Sequence, residues 1–189
     1  LNYTNFSRKD LKFLKREMST VSGKVLDIGG RDFIDRLGFK PGDEYYSYDL
    51  TYSKNVSVIG DAHKLPFKND SFDYIICNAV LEHVREPSII LSEIYRCVKS
   101  NGFVFISVPF LQHIHSDPYD FRRFTNYGLK YELEKTGFNT INIYGSYGIY
   151  DVIEYLLFSG VVWNIKDKHY KSIFDIIHIF IMSVFFFHV

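Results

Sequence analysis

The chain of 189 residues is long enough for one domain with a full hydrophobic core and short for two ordinary ones. Lys+Arg and Asp+Glu balance at 22 each, so no global field favours a nucleic-acid partner, and the basic residues cluster only from Lys12 to Arg16. Cys77 and Cys97 lack metal-ligand spacing and fall in apolar segments, which suits a reducing, cytoplasmic setting. The charged N-terminal stretch has no apolar signal core, so secretion is not expected, and a first residue of Leu suggests processing or truncation.

Leu11, Leu14 and Met18 recur at spacings of three and four, which predicts an amphipathic leading helix over about 8–20. "KVLDIGG" (24–30) is an apolar run ending in Asp and two glycines, the pattern of a buried parallel strand opening into a tight turn. "EYYSYDL" (44–50) and "NVSVIGD" (55–61) predict second and third strands, each ending in an acid. "SFDYIICNAV" (71–80) holds a fourth strand. The stretch 87–102 reads as a helix, with Pro87 near its start, Ile90, Ile94 and Val98 on one face and Gly102 as its stop. A fifth strand is expected over 102–110, a helix over 126–138 and an extended segment over 139–145. This alternation predicts an α/β fold: a Rossmann-like, doubly wound, mainly parallel sheet with helices on both faces, its core over 24–145 within a single domain. The extension 150–189 is different in kind. Its end, 172–189, is almost wholly apolar but is interrupted by Asp175 and His178, and falls short of a clean spanning helix of about 20 residues. A packed terminal helix is one reading; membrane association or contact between copies of the chain is the other.

Glycines after the first strand let the backbone turn sharply and bring a ligand close to the main chain. Asp49 lies 49 − 27 = 22 positions beyond Asp27. A carboxylate at that distance accepts the hydroxyls of a ribose in the crevice at the strand ends. Any adenosine-bearing cofactor fits so far. The turn lacks the full G-x-G-x-x-G pattern that a pyrophosphate wants, which disfavours a nicotinamide-dependent oxidoreductase.

Taken in order, VLDIGG, YSYDL, GDAHKLPF, SFDYIICNAVLEHV and GFVFISVPF resemble the class I S-adenosylmethionine (SAM)-dependent methyltransferases, over about residues 24–145. The resemblance implies SAM as cofactor and S-adenosylhomocysteine as product. It implies that Asp27, Gly29 and Gly30 hold the methionine portion and that Asp49, with Leu50 beside it, binds the ribose. By the same resemblance Asp61 and Ala62 contact the adenine, Asn78 and Ala79 line the cofactor beside the sulfonium, and His83 lies close to the cleft. The family turn reads acid-x-Gly-x-Gly-x-Gly, whereas Arg31 and Phe33 stand at the second and third of those glycines. Arg31 either reshapes the methionine pocket or pairs with the cofactor carboxylate, and a methyltransferase-like, non-catalytic binding module stays open beside an active enzyme.

The loop after the fifth strand carries His113, His115, Asp117, Asp120, Arg122 and Arg123. In a doubly wound sheet it rises beside the ligand crevice. Its "VPF…HxxPxDFxRFT" stretch resembles a subgroup of these enzymes associated with cell-surface glycan synthesis, which implies O-methylation of a small-molecule or glycan-type acceptor. An alcohol acceptor loses its proton as the new bond forms, and His is the usual positioned base. The candidates are His115 as base or acceptor-orienting group, Asp120 tuning it and Arg123 binding an anionic substrate group; a structural cap over the cofactor is the alternative. No metal is expected: His113 and His115 alternate sides if extended, and no cysteine or carboxylate pair completes a familiar ligand spacing.

Overall fold

The computed structural model describes residues 15–112 and 114–145, without the side chain of Arg36. Of these, all but Gly145 fall in one compact unit. Its elements are β1 (Lys24–Ile28), α1 (Phe33–Leu37), β2 (Glu44–Asp49), β3 (Val58–Ile59), β4 (Phe72–Asn78), a 3-10 turn (Leu81–His83), α2 (Pro87–Cys97), β5 (Val98–Ser107) and α3 (Asn126–Thr136). The five strands form one sheet in the order β3-β2-β1-β4-β5, and every pairing is parallel. The chain winds outward from β1 through β2 to β3, then returns to β4 on the other side. That reversal leaves a crevice between the carboxyl ends of β1 and β4, where ligands bind in doubly wound sheets.

The period-two alternation of strands sorts the core into two layers. Leu26 and Ile28 of β1 and Ile75 and Cys77 of β4 face one layer, with Ile90, Leu91 and Ile94 of α2 and Leu129 and Leu133 of α3. Val25 and Ile76 face the other, with Phe33 and Leu37 of α1 and Met18. Because these strands are covered on both faces, β1 and β4 are near-continuous apolar runs. Asp27 falls on the α1 side of the sheet, in register with Ser47 of β2 and Ile76 of β4, and is buried there.

Several boundaries differ from the expectations. Only Val58–Ile59 of the third strand is paired, because the preceding residues close the turn in which Val56 N–H donates to the Ser53 carbonyl. The helix ends at Cys97, not Gly102; Val98 already pairs with Phe72, while Phe103 pairs with Tyr74, so residues 99–102 make a detour opposite Asp73. Gly102 is the residue that fits this detour, since a Cβ there would stand 2.7 Å from Val98 and 2.9 Å from the Asp73 carbonyl. Residues 139–145 form no regular strand. α3 begins where Thr125 accepts a hydrogen bond from Gly128 N–H, so the threonine that ends the loop motif is a helix cap, and it stops at Gly137 in the left-handed region. Of the leading helix, residues 15–18 are helical and Met18 is buried; Leu11 and Leu14, and the whole 150–189 extension, lie outside the described residues. No helix among the described residues is long and apolar enough to cross a membrane.

Candidate functional site

The first corner of the crevice is the turn after β1. Gly29 has φ +75°, and a Cβ on it would stand 2.4 Å from Val80. Gly30 sits directly over buried Asp27: a Cβ there would meet Asp27 Oδ2 at 2.5 Å and Ser47 Oγ at 2.6 Å. The two glycines are thus demanded by what lies beneath them. Asp27 accepts a short hydrogen bond from the Tyr45 hydroxyl, and burial, reinforced by that carboxylate, pushes the Tyr45 phenol far above its ordinary value. Asp27 therefore braces the turn from below. Arg31 extends from the turn toward the second corner, where its Nη1 donates to Thr51 Oγ1 at 3.3 Å, and its own backbone carbonyl accepts from Asn55.

At that second corner, the end of β2, Asp49 Oδ1 accepts from both the backbone N–H (2.8 Å) and the hydroxyl (2.9 Å) of Thr51. This turn aims the half-buried carboxylate and leaves Oδ2 outside it. Leu50, beside it, is 70 % exposed, an apolar surface at the crevice rim. The third corner follows β3. Asp61 Oδ1 accepts from His63 N–H (2.9 Å) and His63 Nδ1–H (2.6 Å), and these bonds hold its carboxyl below the usual range. The Asp61 carbonyl receives the Tyr48 hydroxyl, and Gly60 is required because a Cβ would stand 2.1 Å from that hydroxyl. Ala62 packs on the core.

The rest of the GDAHKLPF segment is scaffolding, which its letters do not announce. Leu65 is buried and Phe67 stacks edge-on with Tyr48 and Phe72. Arg96 of α2 gathers the backbone: it donates to the carbonyls of Phe67 and Leu65, to Asn69 Oδ1 and to Glu93, while Glu93 accepts Leu65 N–H at 2.8 Å. Arg96 in turn holds the Glu93 carboxyl below its usual range. The SFD segment is also structural: Phe72 is fully buried and Asp73 bridges Lys24 N–H to the Lys99 ammonium.

The fourth corner is the end of β4. Asn78 pairs in register with Ser107, and Ala79 follows at φ 55°, a left-handed conformation rare for alanine, with its N–H on the Ser107 carbonyl. Ala79 thus stands exposed at the sheet's switch point in a conformation that costs about 1–3 kcal/mol.

Beyond it, two loops pair. His83 Nδ1–H donates to the Tyr119 carbonyl at 2.6 Å, Phe121 N–H donates to the Glu82 carbonyl at 2.8 Å, and Arg122 donates to the Arg85 carbonyl. The ring of His115 meets that of His83 at 4.7 Å, edge to face. Asp120 organises the second loop: its Oδ2 accepts His115 N–H at 2.8 Å and stands 3.4 Å from His115 Nδ1, and both its oxygens take the Arg123 guanidinium. That fork holds the Asp120 carboxyl well below the carboxylate range. Arg123 also donates to the Gln112 and Arg122 carbonyls, so its fork is committed to the loop itself. His115, Asp120 and Arg123 are thus brought together, and His83 joins them; His113 lies outside the described residues. Sequence reasoning missed Glu82. It is fully buried, burial raises its carboxyl above the usual range, and neither oxygen has a hydrogen-bond partner among the described residues. The signal was its place in "LEH", next to a histidine at the crevice.

A family model described as a methyltransferase domain matches residues 42–106. The demethylmenaquinone methyltransferase of Geobacillus stearothermophilus is 30 % identical over 118 residues, 50 % of this chain and 50 % of that protein. Among solved structures, a SAM-dependent methyltransferase from Thermotoga maritima is similar with a TM-score of 0.56 at 21 % identity, over 73 % of this chain and 75 % of that one. An N-methyltransferase of Haemonchus contortus in complex with S-adenosylhomocysteine is similar with a TM-score of 0.50 at 21 % identity, over 68 % of this chain and 36 % of that one. The chain spans about half the length or less of the curated relatives it matches first. These likenesses show the fold, a Rossmann-like parallel α/β sheet, and the methyltransferase-domain model matches residues 42–106 within it.

Proposed function

We propose that this chain is a SAM-dependent methyltransferase acting on an oxygen of a small-molecule or glycan-type acceptor. The observation that carries the donor half is the aimed Asp49 carboxylate with exposed Leu50 beside it, one strand from the Gly29–Gly30 turn. These residues fit the group: a hydrogen-bond acceptor for ribose hydroxyls, an apolar rim for a purine, and a backbone that admits close approach. Asp61 and Ala62 extend the adenine side, Asn78 and Ala79 the sulfonium side, and Asp27 supports the methionine turn from beneath. When bound, SAM supplies a methyl carbon activated by positive sulfur.

The chain's own residues then hold the acceptor in line, and alignment of this kind supplies about 7–11 kcal/mol of a barrier. His115 would take the hydroxyl proton of a bound acceptor, with Asp120 orienting its ring. Because Arg123 is spent on Asp120, its role is to fix that geometry, and direct binding of an anionic substrate group is the weaker assignment. A second reading has an observation of its own: Phe110, Leu111, Ile114 and Tyr119 of the acceptor loop are 57 %, 47 %, 76 % and 62 % exposed, a surface suited to an apolar ring acceptor.

Titration calorimetry with S-adenosylhomocysteine and, separately, with nicotinamide dinucleotides tests the donor. Binding of the first alone is expected; binding of the second alone overturns the reading. Methyl transfer across glycan, phenol and quinol acceptors tests the rest, and donor binding with no turnover on any of them identifies a non-catalytic module.

A further inference from the structure

Glu82, His83 and His115 are left over by the donor site. A buried carboxylate with no side-chain or loop hydrogen-bond partner is costly unless something positive meets it, and the charges that reach Glu82 are those of His83 and Arg123. His83 Nδ1–H is spent on the Tyr119 carbonyl, which leaves the lone pair on Nε2, and Nε2 stands 3.7 Å from Glu82 Oε1. That is too long for a hydrogen bond. One ligand atom from each of Glu82, His83 and His115 lies within 4.8 Å of the other two. Ligands bonded to zinc at about 2.0–2.1 Å in a tetrahedron stand about 3.3 Å apart, so the trio closes on such an ion with side-chain shifts of about 1 Å.

The surroundings match a metal centre. Metal-bound histidines give their other ring nitrogen to a backbone carbonyl or a carboxylate. Here His83 donates to the Tyr119 carbonyl, and the His115 Nδ1 stands 3.4 Å from the carboxylate of Asp120, itself fixed by Arg123. Two imidazoles and one carboxylate suit zinc and its neighbours among the divalent transition metals, whereas calcium and magnesium take all-oxygen sets. Glu82 is sealed, but the two histidine side chains are 23 % and 22 % exposed, which leaves an entry path.

We infer that Glu82, His83 and His115 are the three protein ligands of a divalent transition-metal site of the zinc class, with a further position for water or an acceptor oxygen. The ion joins the turn after β4 to the loop after β5. A search for ligand spacing along one segment does not find it, because the ligands come from two loops. The site stands on ligand geometry, does not require methyl transfer and is an alternative to His115 as the base, because a ring nitrogen bonded to the ion has no lone pair left for an acceptor proton.

The test uses the full chain stripped with chelator and titrated with zinc alone, followed by cobalt substitution read by visible absorption. One zinc per chain is expected, with a tetrahedral cobalt spectrum. Glu82→Gln and His115→Ala each weaken zinc at least tenfold, while His63→Ala leaves it unchanged. Two variants keep the result interpretable if one folds poorly, and S-adenosylhomocysteine binding by the same samples checks the donor corner separately. Absence of stoichiometric zinc binding in the unaltered chain overturns the proposal, as does zinc binding of equal strength in Glu82→Gln.

Discussion

The two sides of the crevice are built by different means. On the donor side the two strand-end carboxylates are set by their own neighbours: Asp49 is aimed by Thr51 and Asp61 by His63, both two positions away, while Asp27 and Arg31 reach farther, to Tyr45 and Thr51. On the acceptor side the contacts span the loops, with His83 on the Tyr119 carbonyl 36 positions on and Arg122 on the Arg85 carbonyl 37 positions back. The donor side's strand-end carboxylates are therefore set by local turns, whereas the pairing of the two loops on the acceptor side exists only when β4 and β5 lie side by side. Damage to the first should be confined to binding, whereas damage to the second should spread through the loop.

The largest effect is expected where one acceptor-side group has most to hold. Asp120→Ala leaves the Arg123 guanidinium half-buried without its carboxylate, a loss of about 3–5 kcal/mol, and chemical denaturation should show it together with faster proteolysis between Gln112 and Arg123. If stability is unchanged, the loop is held by something else. Next, Asp49→Ala should weaken S-adenosylhomocysteine binding by about a hundredfold, close to 2.7 kcal/mol, with the melting temperature little moved; a large melting shift would blur the contrast between the sides. His115→Ala should spare donor binding and lower turnover by about a hundredfold or more, measured as a kcat change at saturating SAM.

A smaller effect, and one that depends on pH, belongs to Glu93. Its folded carboxyl is held below the unfolded value of about 4.3 by Arg96, so it adds stability above that value and loses it as pH falls toward the folded one. Glu93→Gln should cost about 1–2 kcal/mol at pH 7, and the gap to the unaltered chain should close below about pH 4 in thermal melts. A constant gap would mean that shape, not charge, matters there. The smallest change is expected from Arg31→Ala, whose exposed 3.3 Å bond to Thr51 is worth about 1 kcal/mol or less; a much larger loss of donor affinity would assign Arg31 to the cofactor carboxylate.

The same contrast explains what could be read beforehand. The strands, α2 and α3 follow from apolar periodicity, and Asp49 from its distance to the glycine turn, because these are local patterns. Gly102 misled, since a glycine that admits a strand detour looks like one that stops a helix. The Arg31–Thr51 bond across the gap is not legible in the turn alone, since its partner stands on another strand end. The pairing of Arg123 with Asp120 depends on the loop's folded path, which the letters do not show. Glu82 was passed over, since nothing in "LEH" says that its carboxylate points inward.

The Arg96 clamp bears on how chain length can vary at this edge of the sheet. One guanidinium spaces the Leu65 and Phe67 carbonyls and the Asn69 amide at fixed intervals. A residue inserted between Leu65 and Asn69 would slide those acceptors off its five N–H groups at once. Insertions and deletions among homologous chains should therefore avoid this segment and gather in the turn over 50–57 and in the loop over 110–118.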